Sequence, residues 1–417
     1  MHATRKRNFK LFLCIIIAVA VLKLAYIVSF SIPSSILMLE GEEYHYNASK
    51  IIYGEGSEGL CAEGHAIMAT AQGEYELSLT FAGILPVKTV QVSVLPQMGV
   101  IPSGQTIGVK IDINGVMVVA ITDIRDTAGK KHTPAKSSGL KIGDVVKTIG
   151  NQTISKSSEF VSMIEASGGN PLEMIVNRKG KDIKIKITPI LEEISGTYKV
   201  GTWVRDSSTG IGTMTFVDPE TGNFGALGHG ITDADTGQIV TVGGGSIVES
   251  RITSIRKGER GNPGELKGMF IDRDDNDTTV VTNCKFGIYG SLGNTEKPNR
   301  DIIPIASKDQ VHEGAAYILA NVEGDKVEQF EIKIEKVSPR ASDTNKSLVV
   351  RVTDPALISK TGGIVQGMSG SPIIQDDKLV GAITHVYVVC CTKKIHKQLL
   401  ILKGHFAPFL NLYYDLK

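Results

Sequence analysis

From Val200 onward the chain consists of short apolar runs separated by turns rich in Gly, Asp and Asn, and helical periodicity is nearly absent. Each run is long enough for one strand and too short for a helix with a buried face, so the region is expected to fold as a β-barrel or β-sandwich. The segment from Gly258 to Gly268, rich in Gly, Pro and charge, reads as an exposed loop between strands.

Inside this region the chain reads Thr-Gly-Gly-Ile-Val-Gln-Gly-Met-Ser-Gly-Ser-Pro-Ile from Thr361 to Ile373. Apolar runs on both sides predict buried strands, with Gln375–Lys378 as a hairpin turn. A serine in a glycine-flanked turn between strands fits a two-barrel, chymotrypsin-like fold better than a strand-to-helix elbow. A serine hydroxyl becomes a useful nucleophile when a histidine takes its proton, a carboxylate orients that histidine and backbone N–H groups receive the oxyanion. The chain supplies His229 within Gly-His-Gly, then Asp354, then Ser369. The amides of Gly367 and Ser369 are the expected oxyanion donors, and Ser371 reads as a turn residue beside them. For the acid, Asp272, Asp274 and Asp301 lie nearer the middle of the His-to-Ser interval. Asp354 precedes Pro355 and also reads as a turn ending a strand.

Forty-five basic residues against forty-four acidic ones leave no net charge that would bind nucleic acid, so partners must be sought at sites. Arg5, Lys6, Arg7 and Lys10 precede an apolar stretch from Leu11 to Ile32 that is broken by Lys23. This pattern predicts a signal sequence or membrane anchor over residues 1–32, with the basic flank cytoplasmic and the remainder exported. The five cysteines show no Cys-x-x-Cys spacing, and neither a metal nor an organic cofactor is expected. Asp272, Asp274 and Asn276 imitate the start of a calcium loop, but Asp277 stands where such a loop needs glycine.

Residues 33–98 read as a small β-rich region. Tyr75, Leu77, Leu79 and Phe81 alternate with polar residues, as do Val90, Val92 and Val94. Over residues 99–190, Gly139-Leu140-Lys141-Ile142-Gly143-Asp144 and a helix pattern from Ser158 to Ala166, with Phe160, Met163 and Ile164 inward, resemble a PDZ domain. The resemblance implies that Ile107, Gly108 and Val109 form a peptide-binding loop open to β-augmentation.

The order of parts resembles the stage IV sporulation protein B (SpoIVB-type) serine peptidases. The residues that carry this are Trp203-Val204-Arg205-Asp206, Gly210-Ile211-Gly212-Thr213, Ala226-Leu227-Gly228-His229-Gly230-Ile231, Gly362 through Pro372, and Thr384-His385-Val386. The resemblance implies a mainly β protein with an N-terminal membrane segment, a β-rich region, a PDZ domain and a chymotrypsin-like double β-barrel over residues 195–388. It places the triad on His229, Asp354 and Ser369. It also implies a sporulation endopeptidase, acting between forespore and mother cell, that cleaves itself and a regulator of an intramembrane metallopeptidase so that pro-sigma-K is processed. Two other readings stay open: an HtrA-like quality-control peptidase, and a PDZ-based interaction protein with an inactive peptidase domain. After Val388 the resemblance stops, and residues 389–417 form a divergent tail rich in lysine.

Overall fold

A computed structural model of the chain describes residues 34–45, 52–55, 59–63, 66–81, 83–259, 261–271, 277–306, 310–337, 348–387 and 398–401, together with Phe12 and Lys23. The expected membrane segment therefore lies almost wholly outside the described residues, as does the acidic turn from Asp272 to Asn276. Among the described residues no helix is long and apolar enough to cross a membrane. The chain divides into two compact units, the first built on residues up to Met98 and the second on Gly99–Ile303 and His312–Gly404.

In the first unit, alternating side chains produce a half-buried sheet. Strands Ser35–Leu39, Leu85–Leu95, Gly73–Phe81 and Ile52–Glu55 pair in that order, and Glu43–His45, Ala66–Ala69 and Leu60–Glu63 form a second sheet. Leu77, Leu79, Val90, Val92 and Val94 point into one core with Ile67 and Met38, while intervening residues such as Glu76 and Gln91 hydrogen-bond on the outer face.

The second unit contains a PDZ-like core joined to the C-terminal strands by one shared strand. Val116, Val118, Leu140, Val146, Phe160, Ile164, Met174, Val176 and Ile185 bury together beneath helix Ser157–Ala166, with Met163 packed at the margin. The Asp144 side chain is buried, and it is affordable there because the Arg178 fork meets both its oxygens at 2.7 Å and the Lys141 amide donates at 2.9 Å.

Strand Thr106–Ile121 belongs to both parts. On one edge it pairs along its length with Thr202–Val217. On the other it pairs with Val145–Ile149 near Met117, and with Val242–Arg256 from Ile113 to Ile107. This corrects the expected peptide groove: Ile107, Gly108 and Val109 are buried and already paired on both edges, so no free strand edge remains for a peptide. A Cβ on Gly108 would run into the Phe270 ring and lie 2.6 Å from Val248 Cγ2.

The double barrel is present in part. Strands Gly314–Glu323, Lys326–Val337, Leu348–Val352, Gln398–Ile401, Lys378–Tyr387 and Pro372–Gln375 close into a barrel. The preceding strands, Thr202–Val217, Asn223–Ala226, Gly287–Ser291 and Thr279–Cys284, remain in the open sheet that runs into the PDZ-like core. Strand Gln398–Ile401, from the divergent tail, bridges Leu348–Val352 and Lys378–Tyr387 and so completes the barrel.

Candidate active site

The turn that carries Ser369 is held by buried Thr213 near the end of strand Thr202–Val217. The Thr213 amide donates to the Ser369 carbonyl at 2.8 Å, and its hydroxyl donates to the Gly367 carbonyl at 2.9 Å. Its own carbonyl accepts from the Leu227 amide at 3.1 Å, which draws the Leu227–Gly230 turn to the same place. Gly370 sits at φ +100° at this junction, and a Cβ there would collide with the Thr213 carbonyl oxygen and lie 2.6 Å from the Leu227 nitrogen. Close approach and a left-handed backbone both require glycine.

The carbonyls of Gly367 and Ser369 thus face the core, while their amides donate no hydrogen bond within the described residues. Neighbouring amides are all engaged: Met368 donates to Val365 at 3.2 Å, and Gly370 to Ile383 at 2.7 Å. Two unspent donors beside a serine are what an oxyanion hole needs. The Ser369 hydroxyl donates to the Thr384 carbonyl at 3.1 Å. Ser371, by contrast, is fully buried and its hydroxyl has no partner among the described residues, so it is closed to a substrate.

His229 is half-buried in the turn after strand Asn223–Ala226. Its Nδ1 lies 3.0 Å from the Gly230 carbonyl oxygen. A carbonyl can only accept, so Nδ1 carries the proton and Nε2 is left bare as an acceptor, the tautomer a general base requires. The ring packs at 48° against His385, with centroids 5.8 Å apart. His385 Nδ1 in turn lies 2.9 Å from the hydroxyl of Thr384, the residue whose carbonyl accepts from the Ser369 hydroxyl. The structure therefore brings His229, Ser369, Thr384 and His385 together. In the sequence His385 stands out only as part of the Thr384-His385-Val386 run.

Among the described residues no hydrogen bond joins Asp354 to His229, whose Nδ1 faces the Gly230 carbonyl, so the expected role of Asp354 as orienter needs correction. Its carboxylate is the N-cap of helix Pro355–Thr361, accepting from the Ala356 amide at 2.8 Å and the Leu357 amide at 3.0 Å, and the Glu331 amide lies 3.3 Å from its second oxygen. An Asp before Pro satisfies the orphan amides of a first helical turn with one oxygen, and the strand amide of Glu331 meets the other.

Two polar clamps that the sequence did not reveal hold the loop beyond His229. Arg205 reaches the buried Asp233 at 2.5 Å and Asp235 at 2.8 Å. Burial pushes the Asp233 carboxyl up. The Thr236 amide and hydroxyl, the Arg205 guanidinium and the Asp235 amide outweigh it and hold the group below the ordinary carboxylate value. Asn283 accepts from the Ile231 amide at 2.8 Å and donates to the carbonyls of Ile231 and Val240, both at 2.9 Å.

Residues 196–394, which contain all of these groups, match the family model described as SpoIVB peptidase S55. This part of the chain is a SpoIVB-type serine peptidase domain. Similarity to curated relatives is to other proteases and runs over short stretches. The chain is 32% identical over 103 residues to a putative zinc metalloprotease, LL2128, of Lactococcus lactis, a match covering 25% of this chain and 22% of that relative. It is 40% identical over 57 residues to serine protease HTRA1 of Xenopus laevis, covering 14% and 12%. It is 36% identical over 67 residues to protease RseP of Photorhabdus luminescens, covering 16% and 30%. The chain thus spans less than a third of the length of these curated relatives. Among solved structures, the PDZ domain of an SdrC-like protein from Listeria monocytogenes is 22% identical with a TM-score of 0.19, covering 22% of this chain and 87% of that one.

Proposed function

We propose that the chain is a serine endopeptidase in which Ser369 is the nucleophile, His229 the general base and the amides of Gly367 and Ser369 the oxyanion hole. The observation that carries this is the convergence of a correctly tautomerised histidine, a half-exposed serine and two unspent amides within one SpoIVB-type domain. In the reaction the Ser369 hydroxyl turns from the Thr384 carbonyl toward His229 Nε2, gives up its proton there and attacks the scissile carbonyl carbon. The oxyanion that forms accepts from the two amides, and His229 returns the proton to the leaving amine. Water then releases the acyl group by the same route in reverse.

The family match supports a sporulation role, with protein substrates that include the chain itself and a regulator of an intramembrane metallopeptidase, leading to processing of pro-sigma-K. The basic, apolar N-terminus supports export or anchoring at the cytoplasmic membrane, in the space between forespore and mother cell. Purified full-length chain should shorten itself over time, and Ser369→Ala should abolish that cleavage while leaving thermal unfolding nearly unchanged. Self-cleavage that persists in Ser369→Ala would contradict the assignment. One observation favours a second reading, an interaction protein with an inactive peptidase domain: the Ser369 hydroxyl rests on a carbonyl and no hydrogen bond joins it to His229. That reading predicts no self-cleavage in the unaltered chain.

A further inference from the structure

The tautomer of His229 is set by the Gly230 carbonyl, so whatever fixes that carbonyl sets the base. The Gly230 carbonyl and the Ile231 amide belong to one planar peptide unit, and turning one turns the other. Asn283 Oδ1 accepts from this Ile231 N–H at 2.8 Å, on the opposite side of the unit from His229 Nδ1, which stands 3.0 Å from the oxygen. The Asn283 amide is itself fixed, because its Nδ2 donates to the carbonyls of Ile231 and Val240 at 2.9 Å each. Flipping it would set N–H against N–H and oxygen against two oxygens. Its backbone is fixed as well. Asn283 pairs with Ile288 in the hairpin of strands Thr279–Cys284 and Gly287–Ser291, which continues through Asn223–Ala226 into the turn bearing His229. The next residue's carbonyl, that of Cys284, lies so near Gly230 that a Cβ would come within 2.6 Å of it.

We propose that Asn283 is a positioning residue for catalysis, acting through the Gly230–Ile231 peptide to hold His229 with its proton on Nδ1 and Nε2 free to take the serine proton. It rests on the reading of His229 as the base. In this arrangement a side-chain amide and a backbone carbonyl perform the orienting work usually assigned to a carboxylate, and a hydrogen bond that polarises the peptide also strengthens the carbonyl as an acceptor.

Two substitutions separate positioning from mere support. Asn283→Ala removes the acceptor and both donors. Asn283→Asp keeps the acceptor for the Ile231 amide and loses both donors. The full-length chain is treated with a fluorophosphonate, and the maximal labelling rate is separated from the half-saturating concentration. Asn283→Ala should lower the maximal rate on the order of 10²-fold, short of the roughly 10⁴-fold cost of a fully wrong tautomer, with the half-saturating concentration within about twofold. Asn283→Asp should recover much of that rate. In parallel, ¹⁵N spectra of histidine-labelled protein, with His229 assigned by its loss in His229→Gln, should show Nδ1 protonated in the unaltered chain and in Asn283→Asp, and a mixture in Asn283→Ala. If Asn283 serves only to tie the loop through its two donors, Asn283→Asp will be as slow as Asn283→Ala and the inference is overturned. An unaltered tautomer and rate in Asn283→Ala overturn it equally. Labelling of His229→Gln as fast as the unaltered chain would sink the base assignment and this inference together, whereas normal loss in His229→Gln with no effect at Asn283 sinks this inference alone.

Discussion

Asp354 shows how one residue type can answer two different demands. An acid ahead of a catalytic serine and an Asp-Pro pair opening a helix look alike in sequence, and in the structure the second demand takes the carboxylate. The two roles respond differently to asparagine, which can still cap a helix but cannot stabilise an imidazolium. Asp354→Asn should therefore keep activity within about tenfold and Asp354→Ala should cost about 1 kcal/mol of stability through loss of the cap. A loss near the roughly 10⁴-fold seen when a triad carboxylate becomes an amide would restore Asp354 as orienter; labelling rates and chemical denaturation read the two quantities. The turns that carry Ser369 and His229 were legible because tight turns and close backbone approach demand glycine, and glycine runs stand out in a sequence. Asn283 was not, because an asparagine in a strand carries no local signal: its partners Ile231 and Val240 are distant in the chain.

At the scale of elements, alternation predicted strands well and pairing poorly. Leu77, Leu79 and Val90 fell on buried faces as their periodicity required. The PDZ resemblance implied a peptide-binding edge at Ile107, Gly108 and Val109, yet this strand is covered on both edges, and its long partner Thr202–Val217 lies far away in sequence. The link from Arg205 on that partner to Asp233 makes a pH-dependent clamp on the loop beyond His229. Asp233 titrates below its ordinary value in the folded chain. Its stabilisation is therefore complete above about pH 4, the unfolded value, and is lost as pH falls through the lower folded value. Melting temperature followed against pH should drop on this acid side, and Asp233→Asn, already lacking the charge, should flatten that limb. An unchanged acid limb in Asp233→Asn would show that the pair contributes nothing to it.

For the molecule as a whole, the divergent tail matters more than its composition suggests. Abundant lysines and an irregular apolar stripe predict weak packing, yet Gln398–Ile401 supplies the strand that closes the barrel between Leu348–Val352 and Lys378–Tyr387. Strand closure is a property of register with distant partners, which composition does not encode. Removing residues 388–417 should leave two open strand edges, lower the melting temperature and slow labelling of Ser369, whose hydroxyl rests on Thr384 of the strand thus exposed. A truncated chain that melts and labels like the full one would mean that the barrel does not depend on this strand. The central claim is that Ser369, activated by His229, attacks substrate while buried Ser371 does not. Its most direct test is to treat the full-length chain with a fluorophosphonate and map the adduct by peptide mass spectrometry, alongside His229→Ala. The account predicts one adduct on Ser369, absent or slowed by several powers of ten in His229→Ala; an adduct on Ser371, or labelling of Ser369 that ignores the loss of His229, would contradict it.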